Sequence, residues 1–167
     1  MLTVLEEMMS PAYYAYFAKI LNVDMFGGLT GADVAQIIND LPANTKGGEI
    51  AQRAIARVGT PYSQLDCSKL VQTVYGEVGI YLPRTSVEQA KYCYNNGYTI
   101  AASQLQAGDL IFWSKPGCSC GRWNEIHHVG IYIGNGQIVD ASSSKGRVVL
   151  RNVWQGSGFV IYMYARP

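Results

Sequence analysis

The stretch Leu65-Asp66-Cys67-Ser68-Lys69-Leu70-Val71-Gln72-Thr73-Val74-Tyr75 predicts a helix whose first turn carries a cysteine. Apolar residues at Leu70, Val71, Val74, Tyr75 and Val78 recur at three- and four-residue steps, the mark of one buried face. Asp66 stands just before the helix, where a carboxylate caps free N–H groups, and Gly79 supplies a stop. Cys67 then sits at the positive end of the helix dipole. That position favours thiolate over thiol, and the thiolate is the nucleophile. A lone cysteine is ordinarily a small buried apolar side chain, so this placement gains meaning only if the chain also supplies a base.

A base follows about sixty residues later. From Gly108 the pattern changes from helical to extended: Asp109 to Trp113 predicts a strand, and Ser114 to Glu125 a polar, Gly- and Cys-containing loop. His128 to Ala141 predicts a β-hairpin with Asn135-Gly136 at its turn. Two loop lengths fit. A two-residue loop pairs Gly134 with Gln137 and sends His128 and Asp140 to opposite faces. A three-residue loop, Gly134 to Gly136 with a bulge, pairs Ile133 with Gln137 and sets Asp140 opposite Gly130. His128 and Asp140 then share a face as diagonal neighbours. Val129, Ile131, Ile133, Val139 and Ala141 would fill the other face, and Gly130 would leave room for a substrate. Arg147 to Leu150 and Phe159 to Tyr164 complete an antiparallel sheet of about five strands.

A helix-start Cys, a strand His and an Asp on the next strand form a thiol-protease constellation. His128 would serve as base and then acid, and Asp140 would fix the imidazole orientation. Singly, a strand His is often just a partnered polar residue, and a strand Asp a solvated edge. His127 is an adjacent rival for the base. The conjunction of all three residues carries the inference.

Upstream, residues 1–45 read as a helical N-terminal extension and 46–167 as the catalytic domain. Ser10-Pro11 is a helix start, followed by the stripe Tyr13, Tyr14, Phe17, Ile20 and Leu21, which reads as packing. Thr30-Gly-Ala-Asp33 resembles a capping box, with Val34, Ile37, Ile38 and Leu41 behind it and Pro42 as terminator. Pro42 to Gly48 reads as a linker. A helix from Gly48 to Val58 buries Ile50, Ala51, Ala54, Ile55 and Val58, and Gly59 to Tyr62 turns the chain into the Cys67 helix. Ser86 is the expected cap of a short helix over Val87 to Tyr94. Helices first and a strand meander later define an α+β fold.

At 167 residues with 49% apolar content, the chain can bury a full domain core. A formal charge of +1 gives no reason to expect a nucleic-acid partner. Four cysteines are too few for a disulfide scaffold of this size. Cys118-Ser-Cys120 lacks the spacing of a usual zinc site, and loop thiols are the first expectation there, ahead of a disulfide or a metal. The N-terminal residues carry two acids and no basic region, so no signal peptide is visible. Met8 to Ala18 is too short to span a membrane. Export by another route, or origin as a piece of a longer exported protein, fits equally.

Gly59-Thr-Pro-Tyr62, Asp66-Cys67-Ser68, Leu82-Pro-Arg-Thr-Ser86, Leu105 to Trp113 and His128 to Gly136 together resemble the NlpC/P60 family of cell-wall peptidases over about residues 48–165. The resemblance implies a papain-like α+β fold and hydrolysis of peptidoglycan stem peptides between D-γ-glutamate and the following diamino acid. Cys67 falls on the nucleophile and His128 on the base. Asp140 falls on the third polar position, where many members have a second His. Tyr62 and Asp66 match positions that line the groove and recognise the stem peptide's free amino end. Ser68 and Arg84 belong to the same motifs and join the substrate-binding set. The resemblance implies a cell-wall location, extracellular or periplasmic, with no cofactor or metal. A shorter segment between Tyr62 and Asp66, Lys69 in place of a common Gly, and a longer Ser114 to His127 loop depart from the pattern at the groove rim. A CHAP-like amidase, an injected antibacterial effector and a non-catalytic wall-binding module are the competing expectations.

Overall fold

The computed structural model describes residues 26–167. The expected helix over Tyr13 to Leu21 lies outside the described residues. Among the described residues, four α-helices come first: α1 (Gly31–Asp40), α2 (Lys46–Ile55), α3 (Cys67–Glu77) and α4 (Ser86–Asn95). Six strands follow: β1 (Thr99–Ile100), β2 (Leu110–Ser114), β3 (Ile126–Gly134), β4 (Gln137–Ser142), β5 (Arg147–Asn152) and β6 (Val160–Ala165). They form one antiparallel sheet in the order β1-β6-β2-β3-β4-β5. The expected α+β class holds, and the sheet gains the two-residue edge strand β1.

Each helix start has a chemical reason. Thr30 and Asp33 form the expected reciprocal capping box on α1 (Asp33 N–H to Thr30 Oγ1, 3.2 Å; Thr30 N–H to Asp33 Oδ2, 2.9 Å). Thr45 accepts the Gly48 N–H at 3.0 Å and starts α2 inside the expected linker. Asp66 caps α3 through the Lys69 N–H at 2.8 Å. The cap of α4 is Thr85, one residue before the expected Ser86: Thr85 has the extended backbone a cap needs and accepts the Glu88 N–H. Ser86 is the first helical residue and is buried.

The main core lies between the helices and one sheet face. Ile50, Ala54, Leu70, Val71 and Val74 meet Phe112, Val129, Ile131, Val139 and Leu150 there, and Phe26, Val34 and Ile38 join the same cluster. Tyr75 reaches through it to hydrogen-bond the Gly108 carbonyl. The opposite face carries a smaller apolar group, Ile111, Trp113 and Ile138, covered by Trp154, Phe159 and neighbours. No helix among the described residues is long and apolar enough to cross a membrane.

The β3–β4 hairpin combines features of both expected loops. Gly134 pairs with Gln137 around a two-residue Asn135-Gly136 turn, with φ of 53° and 74° at its two positions. The register then shifts by one between Gly134 and Tyr132, so that Tyr132 faces Ile138 and Ile131 faces Val139. Beyond this bulge the pairing is that of the three-residue alternative, which brings Asp140 against Gly130.

Candidate active site

Cys67 opens α3 and is buried at the helix start, with 8% of its surface exposed. His128 stands on β3 beside Trp113 of β2. Asp140 stands on the next strand, fully buried. His128 Nε2 lies 2.8 Å from Asp140 Oδ2, and Cys67 is near enough to the imidazole to favour its charged form. With Nε2 committed to the carboxylate, Nδ1 is the nitrogen left for the sulfur. The three expected catalytic residues are thus in one chain of contacts. His127 points elsewhere, toward Cys120 (3.3 Å) and Phe159.

Burial by itself pulls the His128 pKa down. The bond to Asp140 and the nearby Cys67 outweigh it and raise the value from 6.5 to about 9. Burial likewise works against the Asp140 carboxylate, and the hydrogen bonds from His128 and Arg151 overcome it, leaving Asp140 below its usual range. The pair therefore rests as imidazolium and carboxylate at neutral pH, which sets a positive charge beside the Cys67 sulfur.

Two further residues complete this geometry. Arg151 donates from Nε to Asp140 Oδ1 at 2.9 Å and from Nη2 to Oδ2 at 2.7 Å. Trp154 Nε1 donates to Oδ2 at 3.1 Å. The Trp154 ring stacks on Trp113 (4.9 Å, 14°) and the Arg151 guanidinium lies over it. Both tryptophans flank the His128 ring, at 5.2 and 5.5 Å. The sequence signalled the need for a cation but not which one: Asp140 follows the apolar pair Ile138-Val139 on its strand, and a buried carboxylate needs a cation.

The expected binding residues fall in one place. Arg84 forks onto Asp66 (Nη2 to Oδ2, 2.8 Å; Nη1 to Oδ1, 3.2 Å) and donates to Ser68 Oγ at 3.0 Å. Ser68 in turn donates to Asp66 Oδ1 at 3.2 Å. Arg84 therefore braces the cap of α3, and its bonds help hold Asp66 ionised against partial burial. Tyr62 is half-buried beside them. Its hydroxyl is pushed up by burial and by the negative fields of Cys67 and Asp66. Tyr62 also lines a cleft of about 350 Å³ with His128, Arg151, Trp154 and the hydroxyl-bearing run Ser142 to Ser144.

Two expectations are corrected. A Cβ at Gly130 would meet Ile138 Cδ1 at 2.5 Å and Asp140 Cβ at 3.0 Å, so the protein's own side chains fill the space expected for substrate. Cys118 and Cys120 are joined as a disulfide rather than standing as free loop thiols, and Cys67 and Cys93 are the free cysteines.

A cysteine at a helix start, set against a histidine–carboxylate pair on an antiparallel sheet, places the chain among papain-like α+β proteins. Within that class it belongs to the NlpC/P60 family, whose profile matches residues 47–162. It is 40% identical over 89 residues to a probable endopeptidase NlpC homolog of Haemophilus influenzae, covering 53% of this chain and 41% of that protein. It is 39% identical over 92 residues to the murein DD-endopeptidase MepS/murein LD-carboxypeptidase of Escherichia coli, covering 54% of this chain and 43% of that one. The NlpC/p60 domain of the peptidoglycan hydrolase SagA superposes with a TM-score of 0.57 at 29% identity, over 74% of this chain and all of that domain. The chain spans less than half the length of these two curated relatives.

Proposed function

We propose that this chain is a cysteine endopeptidase acting on peptidoglycan stem peptides, at the bond between D-γ-glutamate and the following diamino acid. The observation that carries the reading is a buried Cys67 at the start of α3, near a His128 that is itself 2.8 Å from a buried Asp140. The relatives named as murein and peptidoglycan hydrolases support the substrate class, and with it action at the cell wall, extracellular or periplasmic.

The Cys67 thiolate attacks the amide carbonyl carbon. The Cys67 backbone N–H, which has no helical acceptor at this position, helps hold the oxyanion. His128 gives its Nδ1 proton to the leaving amine as the C–N bond breaks, leaving a thioester on Cys67. His128, now neutral, takes a proton from water. The hydroxide adds to the thioester, and collapse releases the acid and restores the thiolate–imidazolium pair. Asp140 holds the imidazole through both steps. Tyr62 and Asp66, with Ser68 and Arg84 bracing Asp66, receive the free amino end of the stem peptide at the groove rim.

Mass spectrometry of stem peptides from diaminopimelate- and lysine-type walls tests this. Fragments ending in D-γ-glutamate are expected with the protein and absent with Cys67→Ala, whose circular dichroism should match the parent's. Products of the activities for which the Escherichia coli relative is named would replace the assigned bond and keep the mechanism. Binding of stem peptide without turnover by the parent protein would overturn the enzyme reading.

A further inference from the structure

Among the described residues, the loop between β2 and β3 and the start of β3 together bring in three metal-ligating side chains that the proposed catalytic chemistry does not use. The ligand atoms of Cys118, Cys120 and His127 all lie within 4.8 Å of one another. His127 comes from the rigid strand β3, and its ring rests edge-on against Phe159 (6.4 Å, 86°) on the wall of the catalytic cleft. The two cysteines come from a loop that its backbone bonds hold in shape. The Glu125 carboxylate accepts the N–H groups of Gly117 (2.7 Å) and Cys118 (3.2 Å), and the Lys115 N–H reaches the Glu125 carbonyl at 2.9 Å. None of these bonds involves either sulfur.

We propose that the reduced form of this loop binds one thiophilic divalent cation of the Zn²⁺ class through Cys118, Cys120 and His127, at the rim of the catalytic cleft. Two thiolates and one imidazole are a Cys₂His donor set, to which solvent adds the fourth ligand of a tetrahedral ion. Their combined charge of −2 neutralises a divalent ion, and sulfur donors select it over magnesium or calcium. The carboxylate nearest the loop, Glu125, is engaged by backbone N–H groups, so the three named residues are the donors.

The oxidised and metal-bound states exclude one another. A dithiol reductant passes two electrons and two protons to the Cys118–Cys120 disulfide and is itself oxidised to a disulfide. The two thiols then release two protons as two metal–sulfur bonds form, and His127 gives a ring-nitrogen lone pair with no change of oxidation state. This site stands independently of the peptidase reading, because none of its ligands belongs to the Cys67, His128 and Asp140 chain.

Cobalt titration tests the proposal. The chain carrying Cys67→Ala, which removes the catalytic thiol as a competing ligand, is reduced with a phosphine, stripped of reductant without air and titrated with Co²⁺. One Co²⁺ per chain is expected, with intense thiolate-to-cobalt absorption that Zn²⁺ abolishes on displacing it. The same protein left oxidised, a control that needs no further substitution, should show none. His127→Ala should weaken binding by roughly tenfold or more, as even the loss of an outer-shell partner does elsewhere. Absence of the absorption in the reduced protein overturns the proposal. So does its persistence in Cys118→Ser/Cys120→Ser, which would assign the ion to Cys93.

Discussion

Both oxygens of Asp140 are occupied. Oδ1 accepts from Arg151, and Oδ2 from His128, Arg151 and Trp154. A buried carboxylate stays ionised only with such partners, and its charge, together with Cys67, keeps His128 protonated up to about 9. Activity that depends on the imidazolium should therefore fall as pH rises through about 9. Asp140→Asn removes the charge, so the alkaline limb of kcat/KM should move down toward the ordinary histidine value of 6.5. His128→Ala removes acid and base together and should cost more, about 10²–10⁴-fold in kcat. An unmoved limb in Asp140→Asn, or a larger loss there than in His128→Ala, would count against Asp140 as the orienting residue. The grouping of Cys67, His128 and Asp140 was legible because a helix-start Cys, a strand His and a strand Asp stand on recognisable elements. Arg151 was not, because its role appears only once β5 pairs with β4 and sets Arg151 across from Ile138, on the face of Asp140. Trp154 lies beyond the end of β5, where no periodicity says which way it turns.

The β3–β4 hairpin is the element that makes the site. The sequence left two registers open, and each assumed that turn length and register go together. The bulge between Tyr132 and Gly134 separates them, giving a two-residue turn with the register of the longer loop. No local pattern announces such a bulge. The edge strand Thr99–Ile100 was missed for a related reason, since two residues carry no period. Gly130 is where the register has a steric consequence. Gly130→Ala would drive its Cβ to 2.5 Å from Ile138 Cδ1 and 3.0 Å from Asp140 Cβ. It should destabilise the protein by about 1–3 kcal/mol and slow turnover by shifting Asp140 under His128. Gly76→Ala in α3 supplies the contrast: nothing lies within 4 Å of its Cβ and its φ is ordinary, so it should stabilise by about 0.5–1 kcal/mol. Thermal unfolding with parallel turnover assays checks both. A Gly130→Ala protein as stable and active as the parent would show that the crowding is relieved elsewhere.

On the scale of the molecule, the helices-then-meander order made the α+β class legible, and hydrophobic spacing located the main core. The second apolar layer stayed hidden, because Trp154 and Phe159, which cover Trp113 and Ile138, come from the segment between β5 and β6. That layer seals Asp140 and most of His128 from solvent, and so ties the charge state of the site to the stability of the whole fold. His128 has a raised folded pKa, so its contribution is complete below 6.5 and fades as pH climbs from 6.5 through about 9. Asp140 has a lowered folded pKa, so its contribution is present above 3.8 and is lost as pH falls below that. Stability should therefore form a plateau between these limits and decline on both sides, with an alkaline loss on the order of 3 kcal/mol carried by one proton. His127, the chain's other histidine, is shifted downward by burial and by Arg122 and Lys115, so its effect falls below 6.5, where stability rises with pH, and leaves the alkaline range to His128. Urea midpoints measured from pH 3 to 10 should show the alkaline decline in the parent. It should be unchanged in His127→Gln and absent in His128→Gln, with the Asp140 loss below 3.8 kept in both. An alkaline decline that survives in His128→Gln would assign it to another group and would uncouple the imidazolium of the site from the stability of the fold.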